Sequence, residues 1–137
     1  MAEALFRDYV AKEGWEDTVI IDSAATGPWH VGKPPHPGTL AKLEEVGVSS
    51  EGLIGREISK ADMEEFDYVI GMDNSNLENI AKLGAGTKNV YRMLDFSERF
   101  RGLEVPDPYF TGDFQETYEL LCEACSGLLE EIRRKLS

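Results

Sequence analysis

The residues with the clearest chemical potential are Val105-Pro106-Asp107-Pro108-Tyr109-Phe110. One carboxylate stands between two prolines, with two aromatics behind it. Proline fixes its own φ and biases the residue before it toward extended backbone, so Asp107 is held by a stiff loop. Such a loop can present an acid to a pocket, and the neighbouring aromatics could wall a flat substrate. The same residues also describe a rigid turn whose Asp binds nearby amides. A second candidate binding segment spans residues 23–37, a Gly- and Pro-rich loop carrying Trp29 and His30. Loops of about 15 residues without structure of their own are usually functional or disordered. Trp29 there is either a binding wall or a hydrophobic lid folded back on the core. His30 and His36 are too few and too loosely placed to argue for a metal. Cys122 and Cys125 fall on one face of a helical pattern, with no second cysteine pair to complete a metal site. They read as small buried hydrophobes.

These residues need elements to position them. Residues 1–12 read as a helix, with Ala4, Leu5, Tyr9 and Val10 at helical spacing but no residue able to cap its start. Residues 18–22 form a short apolar run, read as a buried strand. A helix over 39–46 ends at Gly47, and residues 56–58 read as a short extended piece. Ser59 and Asp62 resemble a capping box for a short helix ending near Phe66. Residues 67–72 are apolar and β-branched and read as a strand. Asp73 or Asn74 then caps a helix closing at Gly84. Residues 89–94 give a third strand. A last helix over 113–135 carries a stripe of Tyr118, Leu121, Cys122, Cys125, Leu129, Ile132 and Leu136, spaced 3, 1, 3, 4, 3 and 4. Strands alternating with helices predict one α/β domain over residues 1–137 with a parallel sheet. In such sheets ligands bind at the carboxyl ends of strands, so the loops carrying Ser23, Trp29, Asp73 and Asp107 are expected to converge there.

Composition narrows the function. The chain has 137 residues, 42% of them hydrophobic, and a net charge of −12, which makes duplex nucleic acid an improbable partner. No run approaches the ~20 apolar residues of a membrane span, and no basic and apolar leader opens the chain. Cytoplasm is the default expectation. An acidic surface repels anions at long range, so a phosphate ligand would need local backbone N–H groups and an arginine.

Several segments in order give the chain a family likeness. They are Met-Ala-Glu-Ala-Leu-Phe-Arg (1–7), Asp-Ser-Ala-Ala-Thr (22–26), Trp-His-Val-Gly (29–32), Phe-Asp-Tyr-Val-Ile-Gly-Met-Asp (66–73), Asn-Leu (76–77) and Asp-Pro-Tyr-Phe (107–110). With Pro34-Pro35-His36, the sequence resembles the low-molecular-weight protein tyrosine phosphatases, bacterial members above all. The resemblance implies a three-layer α/β sandwich around a four-stranded parallel sheet. It implies hydrolysis of aryl phosphate monoesters through a phosphocysteine, without metal or cofactor. Asp107 would be the general acid and then the general base. Trp29 and Tyr109 would flank the phenyl ring with Phe110 behind, and Ser23 would support the phosphate loop. The implied partners are phosphotyrosine proteins or small aryl phosphates.

The same resemblance places a first strand and a Cys-x5-Arg-Ser-Pro phosphate loop directly ahead of Met-Ala-Glu-Ala, which here is residues 1–4. Neither Cys122 nor Cys125 begins a Cys-x5-Arg motif, since Leu128 and Glu131 stand at the arginine positions. The resemblance therefore implies a chain cut short of its central first strand, its nucleophile and its phosphate-binding arginine, and inactive alone. The absent strand would run between residues 19–21 and 67–72, so the isolated chain is expected to be unstable. Two alternatives stay open, an inactive interaction module and an arginine phosphatase. An arsenate reductase is disfavoured because no cysteine precedes Cys122.

Overall fold

The computed structural model describes residues 1–27, 31–84, 86 and 88–136, with the backbone but not the side chain of Tyr109. Among these residues the elements are α1 (Ala2–Lys12), α2 (Pro37–Glu45), α3 (Lys60–Glu65), β1 (Val69–Gly71), α4 (Asn74–Ala81), β2 (Val90–Arg92), a 3-10 helix (Met93–Phe96), α5 (Pro108–Thr111) and α6 (Phe114–Leu136). No helix among the described residues is long and apolar enough to cross a membrane.

β1 and β2 pair in parallel, Val69 opposite Val90 and Gly71 opposite Arg92. The pair is the centre of a layered α/β fold, because apolar clusters cover both of its faces. Tyr68, Ile70 and Met72 pack on the larger core, where α1 and α6 supply Leu5, Phe6, Val10, Leu121 and Leu128. Val69 points the other way, into a smaller cluster of Met63, Ile80 and Phe66 from α3, α4 and the start of the strand segment. This is the period-two alternation of a strand buried on both sides. Side chains as enclosed as Leu43 and Leu94, both 0% exposed, each contribute about 1.5–3 kcal/mol by leaving water.

Local chemistry explains the helix ends. Asp73 Oδ1 accepts from the Asn76 N–H at 2.8 Å and starts α4. The Ser59 N–H donates to Asp62 Oδ2 at 2.8 Å within a capping box at α3. Met1, at the head of α1, makes no side-chain capping bond, as its sequence led us to expect. Gly47 closes α2 at φ +73°, a left-handed conformation costly for other residues.

Three expectations need correction. Residues 18–22 are not a strand. The N–H groups of Thr18 and Val19 turn back onto the Trp15 carbonyl at 2.9 and 3.0 Å, and Ile20 is 83% exposed. A strand needs a neighbour for its backbone groups, and β1 pairs with β2 and not with residues 18–22. The extended pairing nearby is a single parallel bridge, Ala25 opposite Glu57. Second, the strand over 89–94 stops at Arg92, and Met93 and Leu94 instead bury themselves in the 3-10 helix. Third, the buried face of α6 is Thr117, Leu120, Leu121, Ala124, Cys125, Leu128 and Leu129. Leu121, Cys125 and Leu129 of the expected stripe are buried and Tyr118, Cys122 and Ile132 pack at the edge of the core, but the helix is turned enough to bury Thr117, Leu120, Ala124 and Leu128 as well and to leave Leu136 49% exposed. Gly127 explains the turn. A Cβ there would lie 1.7 Å from the Phe96 carbonyl oxygen, so this bare position is where α6 rests on the 3-10 helix.

Candidate active site

The Asp107 loop is anchored residue by residue to the carboxyl end of β1. The Val105 N–H donates to the Met72 carbonyl at 2.9 Å. Thr117 Oγ1, on α6, donates to the Pro106 carbonyl at 3.3 Å. Upstream, Glu104 Oε1 accepts from the Asn74 N–H at 2.7 Å, a carboxylate at the start of α4 where the helix dipole favours it. Arg92 Nη1 donates to Asn74 Oδ1 at 3.2 Å and to the Gly102 carbonyl at 3.4 Å. The Gly102 N–H donates to Asp95 Oδ1 at 3.2 Å. The backbone arm leading to Asp107 is therefore tied to β1, α4, β2 and α6.

Asp107 itself heads α5. Its carbonyl accepts from the N–H groups of Phe110 and Thr111 at 3.1 and 3.2 Å. The residue is exposed. The loop does not run straight into α6. One helical turn and Gly112, at φ +72°, intervene, and Asp113 Oδ1 caps α6 by accepting from the Glu116 N–H at 2.8 Å. Phe110 is 83% exposed beside the acid. Trp29 lies outside the described residues, as does the Tyr109 side chain.

Ser23 stands elsewhere in the same region. Its Oγ donates to Glu3 Oε1 at 2.5 Å in the first turn of α1, and Glu3 also pairs with Arg7. Ser23 and Met72 line one slot of about 960 Å³ that runs between residues 18–27 and β1. The structure thus brings Asp73 and the Asp107 loop to the end of β1, and ties Ser23 to the head of α1.

Arg56 braces the wall carrying Ser23. It pairs with Asp62 through Nη1 at 2.9 Å and with Asp22 through Nε at 3.0 Å. The Arg56 hydrogen bond, aided by the Ser59 amide, holds the Asp62 carboxyl below its ordinary range. A depressed folded value means stabilisation that is present above the unfolded carboxylate pKa of about 3.9 and lost as pH falls through the folded value. Asp62→Asn is expected to lower stability at neutral pH and to flatten its decline below pH ~4. Urea midpoints measured from pH 6 to pH 3 check this, and parallel curves for the two proteins would refute it.

Cys125 is unsuited to nucleophilic work. Cys125 is 0% exposed, and burial first, then the neighbouring Cys122, push its thiol up to about 12. The reactive form is the thiolate, which Cys125 does not supply near neutral pH. Cys122 is half-buried against the core. Among the described residues no three His, Cys, Asp or Glu side chains are grouped to hold a metal.

The family model described as low molecular weight phosphotyrosine protein phosphatase matches residues 1–137. The chain belongs to that family. It is 43% identical to the low molecular weight protein-tyrosine-phosphatase YfkJ of Bacillus subtilis over 98% of this chain and 88% of the relative. The crystal structure of YfkJ superposes with a TM-score of 0.95 at 40% identity, covering 99% of this chain and 87% of the other. A protein tyrosine phosphatase from Entamoeba histolytica, crystallised with Hepes in its active site, gives a TM-score of 0.89 at 25% identity, over 99% and 89% of the two chains. The Drosophila arginine phosphatase DARP gives 0.82 at 28%, over 96% and 87%.

Within this phosphatase family member, the anchors of the acid loop went unseen in the sequence. Glu104, Asn74, Arg92 and Thr117 are ordinary surface residue types. The Asn74–Glu104 bond spans 30 positions, and no local pattern announces it. Asp107, by contrast, carries a local signal in its flanking prolines.

Proposed function

We propose that this family member is a protein tyrosine phosphatase acting on aryl phosphate monoesters, with Asp107 as general acid and base. The observation that carries the reading is the anchoring of the Asp107 loop at the carboxyl end of β1, where ligands of parallel sheets bind. A cysteine thiolate attacks phosphorus and forms a P–S bond as the P–O bond to the phenol breaks. Asp107 gives its proton to the departing oxygen. The Asp107 carboxylate then takes a proton from water, whose oxygen displaces the cysteine sulfur and releases phosphate. Phe110, with Trp29 and Tyr109, walls the ring, and Ser23 steadies the phosphate loop from the head of α1. The natural substrates are phosphotyrosine proteins or small aryl phosphates, and the protein works in the cytoplasm.

Neither cysteine of the 137 residues fits the nucleophile's part. The thiolate and its arginine therefore belong to a strand and Cys-x5-Arg loop outside these residues. The 137 residues alone are expected to hydrolyse 4-nitrophenyl phosphate no faster than buffer. The same chain preceded by such a strand and loop is expected to turn over at ~1–10³ s⁻¹, the ordinary enzyme range. Turnover by the 137 residues alone, abolished by Cys122→Ser, would overturn this assignment.

The likeness to DARP supports a second reading, hydrolysis of a phosphoarginine P–N bond. An exposed Phe110 beside the acid suits an aryl group better. The ratio of kcat/KM for phosphotyrosine over phosphoarginine decides between them, and a value below one favours the arginine reading.

A further inference from the structure

We infer that Thr117, on α6, is a positioning residue whose hydroxyl sets the direction in which Asp107 presents its proton, a role that rests on Asp107 being the general acid. Two rigid peptide planes meet at the Asp107 Cα, and the angles between them decide where the side chain points. The prolines on either side narrow those angles without settling them. The plane after Asp107 has no N–H, because Pro108 supplies its nitrogen, so only its carbonyl can be held. The N–H groups of Phe110 and Thr111 hold it at 3.1 and 3.2 Å. The plane before Asp107 carries the Pro106 carbonyl, and Thr117 Oγ1 donates to it at 3.3 Å. With both planes held, the backbone of Asp107 keeps one orientation and its side-chain torsions do the rest. Of these bonds, the one from Thr117 alone comes from a side chain, so it is the one that a substitution can remove.

The setting of Thr117 favours this role over a passive one. It lies on the buried face of α6, 3% exposed, in a row with Leu120, Leu121 and Ala124. A hydroxyl among hydrocarbon is costly unless it is bonded. A helical threonine ordinarily bonds back to the carbonyl four residues earlier, and Asp113 offers that acceptor at 3.3 Å. The Asp113 carbonyl, however, also takes the Thr117 N–H, at 3.4 Å. The Pro106 carbonyl lies 11 positions back and outside the helix. The same hydroxyl therefore joins α6 to the peptide group directly ahead of the acid, without touching the reacting atoms.

The test is Thr117→Val, which keeps the branched shape and removes the donor, in the phosphatase carrying its phosphate loop. On phenyl phosphate kcat is expected to fall roughly 10-fold with little change in KM, less than the ~10²-fold that a misplacement of about 1 Å can cost. The loss should shrink on 4-nitrophenyl phosphate, whose phenolate leaves without a proton. Thr117→Ser, which keeps the hydroxyl, is expected to recover most of it. Thr117→Val added to Asp107→Asn should cost nothing further, because no proton remains to be aimed, whereas a merely structural threonine would cost the same in both backgrounds. Amide exchange in the 137-residue chain reads the same contact without turnover. Thr117→Val is expected to speed exchange at Phe110 and Thr111 roughly 10-fold while the Asn76 amide, capped by Asp73, holds its rate. Equal kcat losses in the two backgrounds, a Ser variant as slow as Val, or exchange that is unchanged or faster at all three amides would overturn the inference. An Asp107→Asn variant as fast as its parent would remove the general-acid reading and this role with it. An effective Asp107→Asn beside a neutral Thr117→Val would remove the role of Thr117 alone.

Discussion

Replacing Asp107 by Asn, in the phosphatase carrying its phosphate loop, is expected to lower kcat on phenyl phosphate by 10²–10⁴-fold with little change in KM. That is the usual contribution of a positioned general acid, about 3–5 kcal/mol of barrier. The geometry makes the substitution clean. The backbone carbonyl of Asp107 holds the N–H groups of Phe110 and Thr111, and the loop is tied down through Glu104, Val105 and Pro106. Asn preserves these backbone and anchoring bonds and removes the transferable proton. The loss should shrink on 4-nitrophenyl phosphate, because a stable phenolate leaves without help. Equal losses on the two substrates would show that Asp107 acts in some other step, and a matching fall in Tm would show that it acts through the fold.

Gly127→Ala is expected to be strongly destabilising, conservative as it is. Alanine is the better helix former by about 1 kcal/mol, so on propensity alone the substitution stabilises. Packing reverses the sign. The new methyl would stand 1.7 Å from the Phe96 carbonyl oxygen and 2.7 Å from its carbon. These are backbone atoms that no rotamer change removes. Overpacking typically costs about 1–3 kcal/mol, and a clash with backbone belongs at or above the top of that range. The net effect expected is a loss of at least ~2 kcal/mol, read as a lower urea midpoint with an unchanged m-value. A midpoint equal to or above the parent's would show that α6 lifts from the 3-10 helix at no cost. Leu94, in that helix and 0% exposed, would report the lift through new exposure.

How much of this was legible in advance follows the range of the forces involved. α1, α4 and the body of α6 declared themselves through spacing and caps, which act within four residues. The Asp73 cap and the Ser59–Asp62 box were read directly from residue type and are present in the structure. Residues 18–22 were misread because an apolar run states that a segment prefers burial and not which neighbour will pair with it. Their hydrogen bonds go to Trp15 and, through the Ile21 carbonyl, to Arg7. The face of α6 was misjudged for a related reason. Thr117 and Ala124 are weak hydrophobes in a periodic pattern, yet both are buried because Gly127 sets how closely the helix approaches Phe96.

The sequence by itself determined the chemistry on offer. Two prolines stiffen the backbone around Asp107, aromatics follow it, and the two cysteines lie in a helix without the arginine spacing of a phosphate loop. Such features are covalent or local, and folding does not alter them. Only the tertiary structure decided where that chemistry sits. The Asp107 loop is fixed at the end of β1 by partners 30 or more positions away, and a slot lined from both apolar clusters opens beside β1. Contacts of that span depend on how layers stack and which backbone edges find neighbours, and no short window of residues encodes either.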